Sequence, residues 1–163
     1  MEDVIIRNAL EEDFVNISEV AEECQPMETE RNSIYHLFTK FFRNTCFVAE
    51  LPSGGLGGFL LGFISQENPE DAYIHLLCVD PKIRGKSIGK KLIETFIEKT
   101  DSIGCKKVSL ITKPINWNSI SFYKKLGFIE ETNGETMNVL GTTAIKNYNG
   151  PGEHMVVFYK NLD

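Results

Sequence analysis

The residues with the most chemistry in this 163-residue chain cluster at 82–91, Lys-Ile-Arg-Gly-Lys-Ser-Ile-Gly-Lys-Lys, which holds five cations and no acid. The element before it, residues 73–79 (Tyr-Ile-His-Leu-Leu-Cys-Val), is apolar and partly β-branched, and Asp80-Pro81 ends it, as expected of a strand. After it, Ile88, Leu92, Phe96 and Ile97 recur at helical spacing. A basic turn between a strand and a helix start can hold an anion. The helix offers unpaired N–H groups and the positive end of its dipole, and small residues admit the anion to the backbone. A solvated helix start is the alternative, since charge runs usually are just that. Two phosphate loops are excluded. A Walker A loop would need glycine at Asp80, where a carboxylate repels phosphate, and a dinucleotide fingerprint needs three spaced glycines where only Gly85 and Gly89 stand.

Composition bounds the rest. An apolar share of 42% with 25% charged residues suits one globular domain spanning residues 1–163. A net charge of −6 argues against a general nucleic-acid partner. No apolar run is long enough to cross a bilayer, and the acidic start Met1-Glu2-Asp3 lacks a signal peptide's basic region, so the expected compartment is the cytoplasm, with no membrane partner. Cys24, Cys46, Cys78 and Cys105 lie far apart and read as reduced thiols, neither a zinc site nor a disulfide frame. Residues 1–30 hold ten acids against Arg7 alone, which favours a solvated helix face and, secondarily, attraction of a cationic substrate.

In chain order, residues 4–7 predict a strand, 11–23 a helix with acids in its first turn, and Pro26 a break before a second helix over about 30–42. Residues 46–50 and 57–66 predict two strands joined by a turn, and turn chemistry accounts for Gly54, Gly55, Gly57 and Gly58. A helix over 87–101 stopped by Gly104 and a strand over 107–112 complete a βαβ unit, whose strands should be parallel. Residues 116–126 predict a helix capped by Gly127, and 128–131 a strand. Residues 132–152, rich in Gly and Asn, predict a long mobile loop, and 153–159 the closing strand.

Arg84-Gly85-Lys86-Ser87-Ile88-Gly89 resembles the acyl-CoA loop Gln/Arg-x-x-Gly-x-Gly/Ala of the Gcn5-related N-acetyltransferase (GNAT) family, with Ser87 where the middle glycine is usual. Asn116-Trp117-Asn118-Ser119-Ile120-Ser121-Phe122-Tyr123-Lys124-Lys125-Leu126-Gly127-Phe128 resembles the family's second signature, Asn-x-x-Ala-x-x-Phe-Tyr-x-x-x-Gly-Phe, with Ser119 for alanine. Two matches in the right order are far more specific than either alone, and together they cover most of residues 46–131. The resemblance implies a mixed, mostly antiparallel α/β sheet of six to seven strands with a splayed parallel central pair and about four flanking helices. It implies acetyl-CoA as co-substrate, held by Arg84, Gly85, Lys86, Ser87, Ile88, Gly89 and Lys90, by backbone N–H groups of Leu77, Cys78 and Val79, and by Asn116, with no metal. Serine at position 87 is expected to weaken that hold.

Acyl transfer from a thioester asks for a base to deprotonate the amine, a donor for the oxyanion and an acid for the thiolate. Tyr123 matches the family tyrosine that protonates the thiolate; a phenol ordinarily titrates at ~10, above a thiol. His75 is the candidate base, with a structural strand histidine as the alternative and Tyr73, on the same face, as its competitor. Cys78 near a thioester raises an acyl-enzyme, but no histidine adjoins it and a buried small hydrophobe fits better. The resemblance thus implies direct acetyl transfer to a primary amine, and the absence of a visible peptide-docking feature favours a small molecule over a protein as its carrier. The rival is a non-catalytic acyl-CoA-binding regulator on the same fold. Dimers are frequent in the family, and residues 153–159 are the segment that could supply an interface.

Overall fold

The computed structural model describes residues 4–24 and 36–163. Pro26 and the first half of the helix expected over 30–42 lie outside the described residues, as does the acidic start; the later part of that segment holds a wide helical turn, Leu37–Phe41. The chain divides into two compact units, Met1–Cys105 and Lys106–Asp163.

The first unit holds strands β1 (Ile5–Asn8), β2 (Phe47–Glu50), β3 (Leu56–Ile64) and β4 (Asp71–Val79), with helices α1 (Phe14–Glu22) and α2 (Ile88–Ile103). The strands run β1-β2-β3-β4, each antiparallel to its neighbour. Residues 56–62 of β3 are buried without a break, because side chains on both faces are covered. Phe59 and Leu61 join the cluster that contains Ile17 and Ala21 of α1. The opposite face meets α2, where a side chain added at Gly62 would come within 2.5 Å of Phe96. Gly57 and Gly58 therefore lie inside β3 rather than in the turn; added side chains would meet Ile83 and Leu51, and the Cys78 carbonyl. Only Gly54, at φ 86°, needs its turn conformation.

The start of α1 is fixed electrostatically. The Asp13 carboxylate accepts the Leu10 N–H at 2.7 Å and a bidentate pair from Arg7 at 2.7 and 3.0 Å, and Arg7 reaches Glu50 on β2. Burial alone would raise the Asp13 pKa, but Arg7 and the Leu10 N–H outweigh it and hold the group below the ordinary carboxylate value.

The cysteines depart from the reduced-thiol expectation. Cys24, just past α1, and Cys78, on β4, form a disulfide with a Cα–Cα separation of 6.1 Å. Spacings of 54 residues carry no pairing signal, so only the tertiary packing of α1 on β4 could reveal it. Cys46 and Cys105 are free and buried, and burial pushes the Cys46 thiol up to about 12.

The second unit holds β5 (Lys107–Thr112), α3 (Trp117–Lys125), β6 (Ile129–Glu130), β7 (Thr136–Val139), β8 (Thr142–Ile145) and β9 (Val156–Asn161). Its strands run β5-β9-β6, all antiparallel. The stretch expected to be a mobile loop contains the hairpin β7–β8, turned by Leu140 and Gly141 at φ 53° and 84°. Two residues at positive φ suit a tight hairpin, but leucine is an unusual choice for the first of them and hid the turn in the sequence. The following loop is tied by Asn147, whose side chain accepts the Gly152 N–H and whose N–H donates to His154 Nδ1, each at 2.9 Å. β9 pairs with β5 on one side and β6 on the other, so residues 157–159 have no open edge for a strand-to-strand dimer.

Candidate active site

The register of β3 against β4 decides which backbone groups face away from β3. Gly58 stands opposite Val79, Phe59 opposite Cys78 and Leu60 opposite Leu77, and the Asp80 N–H donates to the Gly57 carbonyl at 2.9 Å. Hydrogen-bonded and non-bonded pairs alternate in an antiparallel ladder. Counting from the Gly57–Asp80 pair, Cys78 is bonded to β3, whereas Leu77 and Val79 turn their N–H and C=O groups away from it. Of the three N–H groups expected to hold a thioester, Cys78's is therefore used within the sheet. Leu77 and Val79 direct theirs away from β3.

The Val79 carbonyl shows the same orientation directly, accepting Arg84 Nε at 3.2 Å. That bond folds the basic turn back against the strand end. Asp80 caps the intervening turn, Pro81–Ile83, by accepting the Lys82 N–H at 2.9 Å. Arg84, Gly85, Lys86 and Ser87 are exposed, while Ile88 is buried and anchors the start of α2. Gly85 and Ser87 both take positive φ, 88° and 61°. The loop thus presents backbone and cations outward from the first turn of a sixteen-residue helix, as an anion site requires. Lys90 pairs with Glu94 at 3.6 Å.

His75 sits at an irregularity that the sequence did not announce. Leu61 pairs with Leu76 but Gly62 pairs with Ile74, leaving His75 as the extra residue of a β-bulge. The bulge shifts the alternation, so that Tyr73 and His75 before it share the α1 side with Leu76 and Cys78 after it. The imidazole stacks on Phe38 at 5.2 Å and 9° and lies 6.3 Å from Tyr73, which in turn meets Phe63 at 5.4 Å. Burial by these apolar neighbours lowers its pKa, although the residue keeps solvent access. An imidazole of this kind is neutral near pH 7 and available to accept a proton. Phe38, its stacking partner, falls within the segment expected to form the second helix over about 30–42.

In the second unit, Asn116 and Tyr123 lie at the start and in the body of α3. The Asn116 side chain makes no capping bond, although its carbonyl accepts the Ile120 N–H at 3.1 Å. Tyr123 is only 7% exposed, and its ring packs against Phe122, Phe128 and Phe158 at 5.3, 5.6 and 5.9 Å. These contacts fix where the phenol can point and are compatible with both a packing and a catalytic role. Among the described residues no group of His, Cys, Asp and Glu could hold a metal ion, and no helix is long and apolar enough to cross a membrane.

The model of the acetyltransferase (GNAT) family matches residues 7–128, three-quarters of the chain and both signature motifs. The chain belongs to the GNAT family. A diaminobutyrate acetyltransferase from Paenibacillus lautus, solved in complex with L-2,4-diaminobutyric acid and coenzyme A, shares this GNAT fold at a TM-score of 0.73 and 20% identity, over 96% of this chain and 93% of that one. Among curated proteins, the L-2,4-diaminobutyric acid acetyltransferase of Chromohalobacter salexigens is 25% identical over 123 residues, 76% of this chain and 64% of that protein. N-alpha-acetyltransferase 30 of Dictyostelium discoideum is 32% identical over 116 residues, 68% of this chain and 63% of that protein. The GNAT chain thus spans less than two thirds of these curated relatives' length.

Proposed function

We propose that this GNAT protein transfers an acetyl group from acetyl-CoA to a primary amine of a small molecule, by direct attack in a ternary complex. The observation that carries the reading is the end of β4, where Leu77 and Val79 turn N–H groups away from β3 next to an exposed basic loop at a helix start. Together these can hold a pantetheine arm and a pyrophosphate. The family match runs across residue 105, where the two units meet in sequence, which supports residues 1–163 working as one catalytic domain. The named substrate of the diaminobutyrate relatives supports a small amine, and the acid-rich first thirty residues favour a cationic one.

In this reading the loop from Arg84 to Lys90 binds the phosphates and Asn116 contacts the pantetheine side. The N–H groups of Leu77 and Val79 polarise the thioester carbonyl. His75 takes the amine proton, directly or through water. The amine nitrogen attacks the carbonyl carbon, the C–S bond breaks, and Tyr123 gives its proton to the departing thiolate. In the disulfide state Cys78 forms no acyl-enzyme, because its sulfur is bonded to Cys24.

The test is thiol release from acetyl-CoA across a panel of diamino acids, polyamines, amino acids, aminoglycosides and N-terminal peptides, for wild type and Tyr123→Phe. Turnover with one small-amine class, reduced about 10²-fold or more in the variant, is the expected result. The variant keeps the ring packing, so lost rate with an unchanged melting temperature isolates the hydroxyl. Turnover confined to peptides would replace the small-molecule acceptor. Silence with every amine, while acetyl-CoA still raises the melting temperature, would establish the acyl-CoA-binding regulator instead. Ser87, at a position where the family pattern has glycine, is the feature that favours that second reading.

A further inference from the structure

We infer that Cys24 and Cys78 are a reversible redox pair that sets the affinity of the anion loop. Both residues are buried, at 6% and 3% exposure, and their Cα separation of 6.1 Å accommodates a disulfide without moving the backbone. The surroundings also accommodate the dithiol. Cys24 Sγ lies 3.6 Å from the Val79 carbonyl on β4, and Cys78 Sγ lies 3.5 Å from the Val20 carbonyl on α1. Each thiol, once reduced, has an acceptor on the opposite element.

The coupling to the loop runs through one atom. The Val79 carbonyl also accepts the Nε–H of Arg84, within the basic loop. In the dithiol state the Cys24 S–H and the Arg84 N–H share that oxygen. In the disulfide state the sulfur has no proton to donate, and the oxygen belongs to Arg84 alone. The oxidised protein therefore holds Arg84 more firmly at the strand end, with the other guanidinium nitrogens left for a phosphate. Cys24 follows the last turn of α1.

The chemistry is thiol–disulfide exchange with a small disulfide such as oxidised glutathione. One cysteine thiolate attacks the reagent and releases one thiol; the second cysteine attacks the mixed disulfide and releases another. Two protein S–H groups are oxidised, the reagent disulfide is reduced, and the two protons leave on the two released thiols.

The protein is equilibrated with oxidised glutathione or with excess dithiothreitol, and thiols are counted after denaturation. Of the four cysteines, four should titrate after reduction and two after oxidation, with peptides containing Cys24 and Cys78 linked. Closing a 54-residue loop should raise the melting temperature by about 10 °C. Four thiols in both states, or a link through Cys46 or Cys105, overturns the pair. Calorimetry with coenzyme A then reads the coupling, which rests on the proposed acetyl-CoA site. The Kd should be about threefold lower in the disulfide state. Cys24→Ser and Cys24→Ala should bind identically after either treatment and should not shift in melting temperature. Equal Kd in both wild-type states overturns the coupling alone. No binding in either state overturns both the coupling and the acetyl-CoA reading, while the thiol count and melting curves still judge the bond.

Discussion

Ser87 occupies left-handed backbone at φ 61°, where its Cβ crowds the following carbonyl. Glycine carries no such penalty, so Ser87→Gly should stabilise the protein by about 0.5–1 kcal/mol, seen as a small rise in melting temperature. The same change should tighten coenzyme A binding, because it removes the side chain nearest an approaching phosphate. A lower melting temperature would mean that the serine hydroxyl makes a bond that repays its strain. His75 yields a pH prediction. Burial lowers its pKa, so the folded protein disfavours the charged imidazole. The unfolded chain, titrating at ~6.5, binds more protons in the window between the two values. Stability should therefore fall as pH drops from about 6.5 through the lowered folded pKa, and be flat above that window with respect to this group. If His75 is the base, kcat/KM should fall over the same acidic window and His75→Gln should flatten that limb while losing about 10²-fold or more in rate. An unchanged acid limb in the variant would transfer the role to another group.

At the scale of elements, β3 and β4 are read well by their apolar runs, but their functional details are not. The strand ends, α2 with its Gly104 stop, and β5 follow from punctuation and periodicity, because Asp80-Pro81, Gly104 and Pro114 act locally. The bulge at His75 depends on a register slip between two strands, which no local pattern encodes, and the Cys24–Cys78 contact depends on how α1 packs. The hairpin β7–β8 was hidden because glycine density normally marks loops, and here Leu140-Gly141 makes a two-residue turn. The loop motif and Tyr123 were legible through family resemblance; Phe38 covering His75 was not, since stacking is a tertiary fact. The glycines within β3 are packing devices, and one of them is directly testable. An alanine at Gly62 would bring Cβ to 2.7 Å from the Tyr73 carbonyl and 2.5 Å from the Phe96 ring. The ring can turn aside, but a backbone oxygen held in a ladder cannot. Gly62→Ala should cost about 1–3 kcal/mol in denaturant unfolding and displace β4 near His75. Wild-type stability in this variant would show that the two strands slide freely at the bulge.

Over the whole molecule, the net charge opposes the proposed ligand while the basic loop attracts it. A chain of net charge −6 repels coenzyme A, itself strongly anionic, yet five cations and no acid fall within residues 82–91. Binding must then be won locally, at the exposed loop and the first turn of α2, against an unfavourable background field. Added salt screens both contributions, but the short-range attraction between a seated phosphate and Arg84 or Lys86 exceeds the long-range repulsion. The Kd for coenzyme A should therefore rise about threefold to tenfold between 50 and 500 mM salt. Lys86→Glu should weaken binding by about tenfold at low salt, and most of that difference should vanish at high salt. Lys99→Glu, on the same helix but far from its start, makes the same change in net charge and should leave the Kd within about twofold. Equal losses in the two variants would mean that net charge governs association and that the basic loop is only a solvated helix start. A Kd insensitive to salt in the wild type would assign the affinity to the pantetheine arm along β4.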